Sequence, residues 1–246
     1  MSVVTPLSTK LGKPLWLIPN RTSYANQIFS GRIDVHPVLV RDTMYRLPFS
    51  LIPQVAFVGR SNVGKSSLIN SLLHGREVAR SSPLPGRTRQ LFIFDVMDTI
   101  SLVDLPGYGF AGKISKIERE EWLEMMKMYL ANANGLERVV SLIDCRHGVK
   151  NLDEEFWKTI VQSPVHPKRN KKAHVMVTLT KTDLVPPHEL EKTVKATQAL
   201  VEHYQKKERL RVWPYVHAVS AETGFGIKEL RSALASMCPF PSATSS

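Results

Sequence analysis

Val55, Ala56, Phe57 and Val58 form an apolar run of strand length that leads directly into Gly59, Arg60, Ser61, Asn62, Val63, Gly64, Lys65 and Ser66, and residues 65–73 then carry apolar side chains at helical spacing. No other stretch constrains the fold as strongly. The eight residues match the GxxxxGK[ST] pattern and have the strand before and the helix after that the pattern needs. Glycines let successive backbone N–H groups curl round phosphates, and the helix N-terminus turns its positive dipole end towards them. In such a loop Lys65 reaches the β- and γ-phosphates, Ser66 offers its hydroxyl to Mg²⁺, and Ser67 continues the first turn. The bland alternative is a chance Gly-Lys-Ser on a surface turn, which the flanking strand and helix disfavour.

The rest of the chain repeats the same alternation. Strands are predicted at 91–94, 100–103, 139–143, 175–179 and 212–219, with the polar pair Asp98-Thr99 turning a hairpin between the first two. Helices are predicted at 116–134, 153–162, 188–204 and 227–237. With the strand at 55–58 this makes an α/β fold with a mostly parallel six-stranded sheet and helices on both faces. Before Val55 the chain is punctuated by Pro37, Pro48 and Pro53, so residues 1–50 read as a basic extension, 51–238 as the domain and 239–246 as a loose Ser-rich tail. No repeat of solenoid period is visible.

Composition limits the partners. Lys and Arg total 33 against 22 Asp and Glu, a formal charge of +11, and that field attracts polyanions without choosing among RNA, DNA and an anionic membrane. Apolar runs are strand-length and broken by charge, so none approaches the roughly 18 residues of a membrane span. Cys145 and Cys238 lie far apart with no CxxC spacing, which suggests neither a disulfide framework nor a zinc site and fits a reducing compartment. The first 33 residues contain Lys10, Lys13, Arg21 and Arg32 but no acidic residue, a bias of organelle transit segments that a basic RNA-touching tail would share.

Further motifs lie where a nucleotide switch needs them. Asp104-Leu105-Pro106-Gly107 ends a predicted strand, so Asp104 would reach Mg²⁺ through water and the Gly107 amide would sense the γ-phosphate. Thr88, in a basic loop between the first helix and that strand, is the candidate switch residue for the Mg²⁺ shell, a flexible loop being the alternative. Thr180-Lys181-Thr182-Asp183 follows an apolar strand, and a carboxylate at Asp183 accepts from the N1–H and 2-amino group of guanine, a pair of donors adenine lacks. The Lys181 stem would lie along the base, and Ser220-Ala221-Glu222 after the last strand would bring a backbone N–H to the guanine O6. Together these residues predict a GTP/GDP site.

The blocks Gly59–Asn70, Pro85–Arg89, Val103–Ala111, Asp144–Gly148 and Thr180–Asp183, in this order, resemble the EngB (YihA/YsxC) family of ribosome-biogenesis GTPases over about residues 45–237. The resemblance implies a three-layer Ras-like P-loop GTPase domain that binds a large ribosomal subunit precursor and its rRNA beside other assembly factors, and is a monomer off the ribosome. Two departures stand out. Leu184 follows Asp183 where the family carries a lysine, and the segment before Arg41 is longer than in a compact bacterial member, which points to a mitochondrial version or a lineage-specific ribosome contact, with a cytoplasmic protein as the alternative.

Tyr108 stands where many GTPases place the glutamine that orients the attacking water, so hydrolysis, with Lys65 and Thr88 as its candidate catalytic residues, is expected to be slow. Asn62 resembles an asparagine that binds K⁺ in related GTPases; its alternative is a plain loop-former. Basic runs at 166–172 and 206–211 are candidate rRNA contacts or solvated loops. A membrane-anchored signalling GTPase is disfavoured by the absence of a CaaX box and of a glycine at position 2, and a G domain that only binds nucleotide as a structural clip remains open.

Overall fold

Eight strands form one mixed sheet in the order β1-β8-β7-β6-β3-β5-β4-β2. The structure is a computed structural model that describes residues 3–7, 11, 14–39, 51–79, 90–107, 116–164 and 173–241. In chain order the elements are β1 (Val4–Pro6), α1 (Pro19–Ser30), β2 (Ile33–Leu39), β3 (Gln54–Gly59), α2 (Lys65–Leu72), β4 (Gln90–Val96) and β5 (Ile100–Asp104). They continue with α3 (Lys116–Asn132), β6 (Leu136–Asp144), α4 (Asn151–Gln162), β7 (His174–Thr180), α5 (Pro187–Lys207), β8 (Tyr215–Ala218) and α6 (Ile227–Ala235). Short 3₁₀ turns cover Leu15–Leu17 and Thr182–Leu184.

The centre of the sheet is parallel: β5, β3, β6, β7 and β8 run the same way. Every residue of β3 is buried, because helices cover both faces and the pleat sends alternate side chains to opposite sides. Ala56 and Val58 join the core under α3, α4 and α5, where Tyr129, Phe156, Trp157 and Tyr204 pack. Val55 and Phe57 join the core under α1, α2 and α6 with Phe29, Leu68, Ile69 and Leu230. The three-layer arrangement is therefore written in the uninterrupted apolar run of the central strands.

The strand count differs from expectation: the sheet has eight strands rather than six. Both additions come from residues 1–50, the segment read as an extension. β1 pairs antiparallel with β8, and β2 pairs antiparallel with β4 over seven residues, so this one segment supplies both edges of the sheet. Pro37 is tolerated because β2 is an edge strand with a side that forms no ladder. Between these strands, α1 buries Ala25, Ile28 and Phe29 on the α2/α6 side; fully burying Ile28 and Phe29 contributes about 3–6 kcal/mol as an upper bound. Smaller differences concern the hairpin and the last strand. The turn between β4 and β5 is centred on Met97 and Asp98, both left-handed (φ 54° and 48°), and closed by Thr99 N–H to Val96 O at 3.0 Å. The predicted strand at 212–219 is broken: Val212 makes an isolated bridge with Val175, and the ladder resumes at Tyr215 after Pro214.

Three arginines close three helix C-termini, where carbonyls lack intrahelical donors. Arg76 donates to Phe29 O (2.7 Å) and Gly31 O (2.5 Å) at the end of α1. Arg231 donates to Leu72 O and Ser71 O, both at 2.8 Å, at the end of α2, and to Asn26 Oδ1 of α1 at 3.3 Å. Arg138, only 6% exposed, reaches Ala233 O and Ser236 Oγ at the end of α6 and lies 3.8 Å over the Trp213 ring. Burial lowers its pKa to about 9, so at neutral pH it stays a cation, facing the negative end of a helix dipole. Both cysteines are free and buried, and burial pushes each thiol up to about 11. Among the described residues no helix is long and apolar enough to cross a membrane.

A candidate guanine-nucleotide site at the strand ends

The predicted site residues that the structure describes lie at the C-terminal ends of β3, β5, β7 and β8, where an open sheet leaves a crevice for ligand. β3 ends at Gly59, and the loop Arg60–Gly64 turns the chain into α2. Asn62 and Gly64 hold left-handed conformations (φ 63° and 96°). Asparagine tolerates this region and glycine enters it without a steric cost, so the loop can curl and leave the amides at the start of α2 facing outward. Lys65 and Ser66 open the helix, and Ser67 lies beside the cavity described below.

Lys65 Nζ pairs with the Asp104 carboxylate at the end of β5, and both side chains are largely buried, at 14% and 8% exposure. Burial raises the Asp104 pKa and the Lys65 cation opposes the rise. Gly107 follows at close quarters: a Cβ there would stand 3.2 Å from Gly59 O and 3.6 Å from Ser61 N, so the Asp104–Gly107 loop lies directly against the phosphate loop. This is the juxtaposition that reading one phosphate from two loops requires. Ser66 and Asp104 are hard oxygen donors of the kind Mg²⁺ accepts beside phosphate oxygens. An ion there would relieve the desolvated Asp104 carboxylate as Lys65 moved to phosphate, so the residues present fit the group. Among the described residues there is no cluster of three or more His, Cys, Asp or Glu that would hold a metal by protein ligands alone.

On the base side, a cavity of about 800 Å³ is lined by Gly64, Ser67, Lys181, Asp183, Leu184 and Ala221, among others, a size that suits a nucleotide. Thr180 ends β7 with its hydroxyl donating to Val63 O at 2.7 Å, which ties the base loop to the phosphate loop. Lys181 is left-handed (φ 58°), and its ammonium reaches Asn62 O and, at 3.1 Å, Asp144 Oδ2. Asp183 is exposed at the mouth, with Leu184 beside it at 54% exposure. Ser220 is buried and turned inward: its N–H donates to Phe225 O at 2.9 Å and its hydroxyl accepts from Thr223 N–H at 3.1 Å. Its part is to shape the turn that presents Ala221 and Glu222 to the cavity.

Asp144 was legible only as part of a family block and not as a site residue. Burial works against its ionisation, yet hydrogen bonds from Arg146 and Lys181 hold its carboxyl down to about 2. The available signal was positional: a carboxylate ending an apolar parallel strand lies on the rim where ligands bind. Thr88, Tyr108 and the basic run 166–172 lie outside the described residues.

Residues 54–181 match the family model described as 50S ribosome-binding GTPase. The chain is 40% identical over 231 residues to the probable GTP-binding protein EngB of Caulobacter vibrioides, an alignment taking in 92% of this chain and 95% of the relative. It is 42% identical over 183 residues to the probable EngB protein of Gluconobacter oxydans, covering 74% of each. The chain belongs to the EngB family of GTP-binding proteins. As an EngB-family GTPase it binds GTP and GDP and hydrolyses GTP. A solved structure of a probable EngB protein shares the fold (22% identity, TM-score 0.53, covering 75% of this chain and 97% of the other). So does Era in complex with MgGDPNP and a segment of 16S ribosomal RNA (27% identity, TM-score 0.51, covering 80% of this chain and 60% of Era). The Ras-like P-loop fold that the family resemblance implies is thus the fold observed, with two strands more.

Proposed function

We propose that this EngB-family GTPase assists assembly of the large ribosomal subunit by binding its precursor rRNA in the GTP state. The match of residues 54–181 to a 50S ribosome-binding GTPase model carries this reading, and a formal charge of +11 supports it because cations placed on rRNA phosphates gain affinity by releasing counterions. Amides of the 60–66 loop and Lys65 bind the phosphates; Asp183 and Lys181 take the base; Gly107, resting on the phosphate loop, reports whether a γ-phosphate is present. Mg²⁺ at Ser66, Asp104 and Thr88 supplies charge neutralisation when bound. Hydrolysis is slow because Tyr108 replaces a water-orienting glutamine. Potassium at Asn62 would add positive charge near the phosphates; equal hydrolysis rates in potassium and sodium salts would remove that part.

The test is co-sedimentation with ribosomal particles. Binding to a large-subunit precursor is expected to be tighter with a non-hydrolysable GTP analogue than with GDP and to weaken steeply with salt. Indifference to nucleotide, or recovery on the small subunit, would refute the proposal. Nucleotide-insensitive binding with no hydrolysis would instead favour the structural-clip reading. For the compartment, the acid-free first 33 residues support a mitochondrial protein. The pairing of β1 with β8 and the packing of α1 into the core support the cytoplasmic alternative, since these residues serve the fold. N-terminal sequencing and imaging of the expressed protein separate the two.

A further inference from the structure

We propose that Asp144 is a positioning residue for guanine-nucleotide binding: its carboxylate holds Lys181 across the phosphate loop, so that the lysine stem is a preformed wall of the base slot. The proposal rests on the assignment of Lys181 and Asp183 to the base. Asp144 ends β6 in register with Thr180 of β7, which places its carboxylate one residue from Lys181. Both carboxylate oxygens are in use. Oδ1 accepts from Arg146 Nε at 2.9 Å and from the Arg146 backbone N–H at 3.1 Å, and Oδ2 accepts from Arg146 Nη2 at 2.7 Å and from Lys181 Nζ at 3.1 Å. The paired forks of Arg146 and Asp144 fix the plane of the carboxylate, as bidentate guanidinium pairs do.

Lys181 is restrained from its other side as well. Its ammonium also donates to Asn62 O, and its carbonyl accepts from Cys145 Sγ at 3.1 Å and Leu184 N–H at 3.0 Å. The stem passes over Gly64, where a Cβ would lie 3.7 Å from Lys181 Cε. Lysine is among the side chains with the most rotamer freedom to lose. Ordering it before ligand arrives removes that cost from binding, which is how preorganisation raises affinity. Without Asp144 the ammonium would keep one carbonyl partner and no counter-charge.

The test uses the full chain with direct titration of GDP and GTP for D144A, D144N, K181A and the D144A/K181A double variant. D144A is expected to weaken GDP and GTP alike by about tenfold, and D144N, which keeps an oxygen acceptor, to recover part of that loss. The double variant should bind no worse than K181A alone, because Asp144 acts through Lys181. Competition by inorganic triphosphate, which has no base, should be the same for D144A as for the parent. Additive losses in the double variant, unchanged affinity in D144A, or an equal loss of triphosphate binding would each overturn the proposal. If K181A itself leaves guanine-nucleotide affinity intact, the base assignment falls, a result distinct from an inert D144A beside a damaged K181A. Should D144A not fold, Arg146→Ala gives the same reading by loosening the carboxylate, with a smaller loss expected and additivity with K181A again the overturning result.

Discussion

The Thr180 hydroxyl donates to the Val63 carbonyl at 2.7 Å, a single buried hydrogen bond that joins the end of β7 to the loop that wraps phosphate. Thr180 is 3% exposed, so Thr180→Val keeps the shape and leaves Val63 O without its donor. A buried acceptor stranded in this way costs about 1–3 kcal/mol. Thermal unfolding with and without GDP should show a lower melting temperature in both conditions and a several-fold weaker GDP affinity. A variant indistinguishable from the parent in both would show that the two loops are not coupled through this bond.

Lys65→Ala should remove tight nucleotide binding. Lys65 is the phosphate-loop cation placed to leave Asp104 for phosphate, and a hydrogen bond to a charged group contributes about 1.5–3 kcal/mol, or roughly tenfold to a hundredfold in affinity. GTP titration by calorimetry checks this, and unchanged affinity would sink the phosphate-loop assignment.

Asp183→Asn should move preference from guanine towards xanthine, because an amide can donate to the 2-keto oxygen that replaces the 2-amino group. Asp183 is exposed at the cavity mouth, so the change should leave the melting temperature of the nucleotide-free protein near that of the parent. Competition between guanosine and xanthosine diphosphates reads the outcome, and a parent-like preference would dismiss Asp183 as the base reader.

Acid should destabilise the protein through His217. This side chain is fully buried against Trp16, accepts from Trp213 Nε1 at 3.2 Å, and has its pKa lowered to about 3 by burial and by the nearby Arg138 cation. A base whose folded pKa lies below its unfolded value of about 6.5 stabilises the fold fully above pH 6.5 and progressively less as pH falls towards 3. The slope approaches about 1.4 kcal/mol per pH unit for one proton. Urea unfolding between pH 7 and 4 should show this slope, and His217→Gln, which keeps an acceptor for Trp213, should flatten it. A parent curve with no fall in that interval would rule His217 out as the acid-sensitive group.

The sequence by itself determined the Gly59–Ser66 loop with its flanking strand and helix and the order of the βα units, and it named the candidates for base recognition. These are local properties: a strand buried on both faces must be an apolar run, and a loop that cradles phosphate must carry glycine at set spacings. Lys65, Asp104 and Asp183 could be named because each ends or follows such a run. Tertiary structure alone decided the role of β1, α1 and β2. The edge strand at Val4–Pro6 is too short to carry a period, and the alternation of Ile33, Asp34, Val35 and His36 is interrupted at Pro37; both segments become strands because β8 and β4 offer unpaired edges. The same holds for the caps: Arg231 meets Leu72 across 159 residues and Arg138 meets Ala233 across 95, so nothing near either arginine in sequence marks its partner. Asp144 belongs with them in its pairing: its place at the end of an apolar strand marks the rim, but the lysine it meets is brought alongside only by the pairing of β6 with β7.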